Sequence, residues 1–171
     1  MKGIRENLMI KKTKIISAYP CCGKSYVYNS INNIFEDNLA DIKILDSDSS
    51  KFSWIEKDGE KYRNPNFIKD YISYIKENIG KVDYIFVSSH KDVRKGLAEN
   101  KIKFTLVVPK KNCLNEWIVR MYNREDSDSF INTQIENWDK WLQEIDNEKN
   151  TYNKLIKLNT HEYLSDVILS C

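Results

Sequence analysis

Lys14-Ile15-Ile16-Ser17-Ala18-Tyr19-Pro20-Cys21-Cys22-Gly23-Lys24-Ser25 is the stretch on which the fold turns. Lys14 to Ala18 is a short β-branched run and reads as a strand. A turn-like Pro-Cys-Cys-Gly follows. Ser25 to Glu36 then carries Val27, Ile31, Ile34 and Phe35 at the spacing of one helix face. The joint between strand and helix is a Walker A pattern, with Ala18 in place of the first glycine. Alanine is tolerable there if the residue is still extended. Backbone N–H groups of the loop and the helix start form a nest for a phosphate. Gly23 lets the backbone approach that phosphate without a Cβ in the way. Lys24 is expected to reach the β- and γ-phosphate oxygens, and Ser25 to ligate Mg²⁺ through its hydroxyl. The expected phosphate-binding set is Tyr19, Pro20, Cys21, Cys22, Gly23, Lys24, Ser25 and Tyr26. A thiol at a helix start has a lowered pKa, so oxidation of Cys21 or Cys22 is one way to block the loop. The other reading of the pair is that small side chains fit a tight turn.

Working outward, strands and helices alternate. Asp41 to Leu45 is a second short strand, ending at Asp46. Ser47 to Asn66 is polar, broken by Gly59 and Pro65, and reads as a long connection with room for a short helix. Asn66 to Ile79 is an amphipathic helix stopped by Gly80. Val82 to Ser88 is apolar enough for a strand buried on both faces. Lys91 to Asn100 is a short charged helix, and Lys103 to Val108 a strand closed by Pro109. Leu114 to Arg124 is helical, and Glu125 to Ser129 is a polar break. Ser129 to Ile145 is the strongest helix, with Ile131, Ile135, Trp138, Leu142 and Ile145 as its stripe. Lys154 to Leu158 is a last strand, and His161 to Leu169 a last helix. Strands separated by helices pair in parallel through right-handed crossovers. The expectation is an α/β/α three-layer sandwich with about five parallel strands, of P-loop NTPase type, whose ligands sit beyond the strands' carboxyl ends.

The chain of 171 residues suits one domain spanning 1–171. It has 27 basic and 25 acidic residues, a near balance that weakly disfavours a long nucleic-acid partner without excluding one. No apolar run approaches the roughly 20 residues of a membrane span, and no secretory leader is evident. Cys21, Cys22, Cys113 and Cys171 make neither a disulfide framework nor a zinc pattern, so a cytoplasmic setting is the natural reading.

The loop near the N-terminus, the strand ending Asp46-Ser47-Asp48 and the arginine-bearing helix before a polar break together resemble the adenylate kinase-like superfamily of small P-loop kinases. Leu45-Asp46-Ser47-Asp48-Ser49-Ser50-Lys51-Phe52 and Val87-Ser88-Ser89-His90-Lys91 are also similar to uncharacterised phage-encoded nucleotide kinase-like proteins. The resemblance implies ATP and Mg²⁺ as ligands and phosphoryl transfer to a nucleoside or deoxynucleoside monophosphate. A polynucleotide end or another small hydroxyl compound is the alternative acceptor. A regulator or viral accessory protein that binds a nucleotide without turnover is the rival from another class.

It also implies roles. Asp46 and Asp48, both at the carboxyl edge, become candidates for Mg²⁺ or an acceptor hydroxyl; an Asp-Ser turn capping the next segment is the other reading. Arg120 and Arg124 share a helix face. They are expected to act with Lys24 as catalytic cations, in a small lid over 120–129; the alternative is pairing with Glu116 or Glu125. Residues 47–80 become the candidate acceptor region, with Trp54 to stack on a base and Arg63 to hold a phosphate, or as a small satellite core. His90 and Arg94, at and after the third strand's end, become candidate acceptor contacts, His90 equally a helix cap. Ser88-Ser89-His90 lacks the acidic residue that ends this strand in many P-loop enzymes.

Overall fold

A computed structural model of the chain describes residues 12–30, 42–47 and 49–171. Among them, five parallel strands form one sheet: β1 (Lys14–Ala18), β2 (Ile44–Asp46), β5 (Tyr84–Ser88), β6 (Thr105–Pro109) and β7 (Lys154–Leu158). Their order across the sheet is β2-β5-β1-β6-β7. β1 is central because Ile15, Ile16, Ser17 and Ala18 are all buried, leaving only Lys14 in water. Its hydrogen-bonding edges are taken by β5, with Ala18 opposite Ser88, and by β6, with Ala18 opposite Val107. The carboxyl ends of β2, β5, β1 and β6 therefore meet at one edge. The chain leaves β1 toward β2 on one side and leaves β6 toward β7 on the other. A crevice opens where neighbouring strands diverge in this way.

Helices flank the sheet: α1 (Lys24–Asn29), α3 (Phe67–Asn78), α4 (Lys91–Glu99), α5 (Leu114–Asn123) and α6 (Asp128–Asn147), with a short α2 (Ser50–Ser53) and α7 (Leu164–Val167). Ile16, Ile85, Phe86, Leu106, Trp117, Trp138 and Ile145 are among the side chains sealed in the core. α3 and α4 pack closely because Gly96 has no side chain; a Cβ there would meet Ile68 Cγ2 at 2.8 Å. Among the described residues, no helix is long and apolar enough to cross a membrane.

Four sequence expectations need correction. Residues 47–66 are more than a connection: after α2 they form an antiparallel hairpin, β3 (Trp54–Lys57) and β4 (Glu60–Arg63). Its two-residue turn, Asp58-Gly59, has φ of 55° and 81°, the left-handed pair that an Asp-Gly hairpin turn adopts. The last helix is shorter than 161–169, with α7 followed by a 3₁₀ turn at Ile168–Ser170. The second strand starts three residues later than expected and includes Asp46. On α6, Ile135 stands outside the buried stripe at 37% exposure, and Gln134 is inside at 6%. The first helix is described as Lys24–Asn29 with Ser30 at its end; the remainder, expected to reach Glu36, lies outside the described residues.

Candidate functional site

The loop after β1 is held from behind by the rest of the fold. Tyr19 N–H donates to Val107 O at 2.9 Å. Trp117 Nε1 donates to Pro20 O at 2.9 Å, Arg120 Nη1 to Cys21 O at 3.4 Å, and Leu164 N–H to Cys22 O at 2.8 Å. Three successive loop carbonyls are thus occupied by the scaffold. Cys21 and Gly23 both take positive φ, 62° and 95°, the left-handed turns from which backbone anion nests are built. The first N–H groups of α1 have no partner within their helix. A Cβ on Gly23 would lie 3.4 Å from the Tyr163 ring, so this position is constrained by both conformation and space.

Lys24 folds back so that Nζ donates to Ala18 O at 2.8 Å. Burial holds its ammonium below the ordinary lysine range; the Asp46 carboxylate acts in the opposite sense, and Arg124 adds to the lowering. Lys24 therefore feels both Asp46 and Arg124. Burial also raises both loop thiols, Cys22 to about 12. The lowered thiol pKa expected from the helix start is thus overturned: desolvation outweighs the nearby Lys24 and Arg120 charges. All four cysteines are free.

Two cavities lie against this loop. The smaller, about 320 Å³, is walled by Cys21 to Tyr26 with Arg120, Asn123, Arg124 and Tyr163. The larger, about 480 Å³, begins at Tyr19 and Pro20 and runs between Ser88 to Asp92, Arg94 and one face of α6. That face carries Phe130, Gln134, Trp141 and Glu144, whose spacing of 4, 7 and 3 keeps them together. Two ion pairs tie α4 to the end of α6 here. Lys91 Nζ meets Glu144 at 3.1 Å, and Arg94 gives Nε and Nη2 to Glu148 at 3.0 and 2.7 Å.

The two arginines of α5 differ sharply. Arg120 is buried, lies 4.1 Å over the Trp117 ring and 3.8 Å over the Tyr163 ring, and pairs with Glu116. It also donates to Glu162 O at 2.9 Å. It ties the loop to the segment after β7, and its Nε is a buried donor without a partner among the described residues. Arg124 is half-exposed and held by Asp126 at 2.6 Å. Asp126 also lies 4.0 Å from Cys21 Sγ.

Of the other expected site residues, Ser25 is exposed at the start of α1, and Asp46 ends β2. Asp48 lies outside the described residues. His90 caps α4, its Nδ1 accepting from Asp92 N–H at 3.4 Å, and both His90 and Arg94 border the larger cavity. Arg94 Nη1 also donates to Ser89 O at 2.5 Å. Trp54 and Arg63 face one another across the hairpin, the guanidinium 4.7 Å over the indole, and border neither cavity. Sequence reasoning missed Phe130, Gln134, Trp141 and Tyr163. The one available signal was a glutamine on the edge of an apolar helix stripe. Among the described residues, no three His, Cys, Asp or Glu side chains gather to hold a metal.

No family model matches this chain, and none of the curated proteins does. Among solved structures it is similar to an uncharacterised protein from Eubacterium ventriosum ATCC 27560. The two share 16% identity over 93% of this chain and 97% of that one, with a TM-score of 0.43. A likeness at that level carries no functional argument.

Proposed function

We propose that the chain is an ATP-dependent kinase of P-loop type that transfers a phosphoryl group to a nucleoside or deoxynucleoside monophosphate. One observation carries this reading: a single loop, residues 19–26, walls two cavities of different character. The smaller is lined by Lys24, Arg120 and Arg124 and suits the phosphates of ATP. The larger combines aromatic rings and neutral polar groups with Lys91, Arg94, Asp92 and Glu144, and suits a second molecule of nucleotide size. A protein that only binds a nucleotide needs one such site; transfer needs two that adjoin.

Lys24 leaves Ala18 O to meet the β- and γ-phosphate oxygens, and the loop N–H groups hold the β-phosphate. Arg124, the more exposed of the two arginines, would exchange its Asp126 partner for the transferred group, whereas Arg120 is committed to Glu116, Cys21 O and Glu162 O. Mg²⁺ bound with ATP supplies charge neutralisation, and Ser25 and Asp46 are the residues that would hold it. The donor set fits that ion, which keeps several waters and needs only one or two protein oxygens. A monophosphate acceptor is its own nucleophile at neutral pH. The protein's work is then to position it in line and exclude water. With a hydroxyl acceptor, Asp48 or Asp46 becomes the candidate base.

A second reading, nucleotide binding without turnover, is favoured by two features: β5 ends in Ser88-Ser89 without a carboxylate, and Arg120 is engaged internally. One experiment separates them. ATP labelled at the γ-phosphate, with Mg²⁺, is offered to ribo- and deoxynucleoside monophosphates, nucleosides and 5′-hydroxyl oligonucleotides, with Lys24→Ala as control. Label moving to a monophosphate, and lost in the control, is the expected result. ATP binding with no transfer to any acceptor would overturn the kinase reading in favour of the second.

A further inference from the structure

We infer that Gln134 selects the acceptor, and that the molecule in the larger cavity is a nucleotide whose base presents a keto oxygen, rather than an amino group, toward α6. This rests on the phosphoryl-transfer reading above and adds to it the class of base. Gln134 is only 6% exposed and borders the larger cavity. A buried primary amide needs partners for two N–H donors and a carbonyl oxygen. The Tyr19 hydroxyl donates to Gln134 Oε1 at 2.9 Å. Tyr19 is itself fixed, by its N–H to Val107 O and by its ring standing edge-on to Trp138 at 5.8 Å. Burial holds its phenol well above the ordinary range, so it stays a donor. The amide orientation is thereby pinned, with Oε1 turned to Tyr19. Among the described residues, no acceptor bonds Nε2, and it is not among the sealed atoms without a partner, which are Ser47 Oγ and Arg120 Nε. Nε2 is left to serve the cavity.

The flanking residues favour a flat ligand. Phe130 and Trp141 lie on the same face of α6, before and after Gln134, and offer ring surfaces for a planar base. A keto oxygen accepts from Nε2. An amino group in the same place sets donor against donor and leaves both unpaired, which discriminates by about tenfold or more.

Deoxyuridine and deoxycytidine monophosphates make the test, because their bases differ only in the keto or amino group and the adjoining ring proton. Each is titrated by calorimetry into the full chain, and ATP binding is measured on every variant to verify that the loop is folded. The wild type is expected to bind the uridine nucleotide at least about tenfold more tightly. Gln134→Glu keeps an acceptor for Tyr19 but presents an acceptor to the cavity, so the preference reverses. Tyr19→Phe releases the amide to rotate, and the preference collapses. Equal binding by the wild type, an unchanged preference in Gln134→Glu, or binding of neither nucleotide overturns the assignment. Label transfer to a different acceptor would then leave the kinase reading standing, whereas loss of ATP binding by the wild type would remove that reading as well.

Discussion

In the proposed kinase, Lys24 is the residue where function and stability oppose each other. Its ammonium is part-buried at the base of the loop with one carbonyl partner, and desolvation lowers its pKa. The folded chain holds this proton less tightly than the unfolded chain does. Between the lowered native value and the ordinary value of 10.5, the unfolded chain carries more protons, so stability rises with pH across that window. The contribution is fully present above 10.5 and is lost as pH falls through the native value. At neutral pH the charge is therefore a cost. Lys24→Met should abolish phosphoryl transfer and stabilise the fold by about 1 kcal/mol, a rise of about 2 to 4 °C in Tm. Melting curves for both proteins should converge as the pH approaches 10.5. A variant less stable than the wild type at pH 7 would contradict this account of the site.

At the scale of elements, Gly96 shows how local preference yields to packing. Alanine is the better helix former by about 1 kcal/mol. Yet its Cβ would lie 2.8 Å from Ile68 Cγ2 and 3.2 Å from Ile72 Cγ1, and a branch methyl cannot swing away. Gly96→Ala should therefore destabilise by about 1 to 3 kcal/mol, read as a lower urea midpoint with an unchanged slope. The elements were largely legible in the sequence, because β-branched runs and 3.6-residue periodicity mark strands and helices independently of context. The hairpin was not, although Asp58-Gly59 is a turn signal. Its strands are exposed on both faces, so no apolar alternation announces them. α6 was read one residue out of phase at Ile135, because periodicity ranks residues by apolarity. Gln134 is buried instead by its hydrogen bond to Tyr19.

Across the whole molecule, the sheet order brings distant segments to one edge. β1 lies between β5 and β6, so the loop at 19–26 meets the end of β5 on one flank and α5 on the other. The loop at 19–26 was readable because its residues are contiguous in sequence. The second cavity was not, because Ser88 to Arg94 and Phe130 to Glu144 are distant in sequence and meet only in the fold, where ion pairs bridge α4 and the end of α6. Trp54 and Arg63 suit an acceptor by residue type, but the hairpin pairs them with each other. Arg120 is likewise drawn into the architecture. It joins α5, the loop and the segment after β7, leaving Arg124 nearer to solvent.

Phosphoryl transfer as proposed requires that one loop serve two ligands at once. Its most direct test is to titrate the monophosphate that accepts label into protein already saturated with Mg²⁺ and a non-hydrolysable ATP analogue. Two adjoining cavities predict a ternary complex, with the acceptor bound at least as tightly as in the absence of the analogue. Mutual exclusion, with each nucleotide displacing the other, would mean a single site and would contradict the claim.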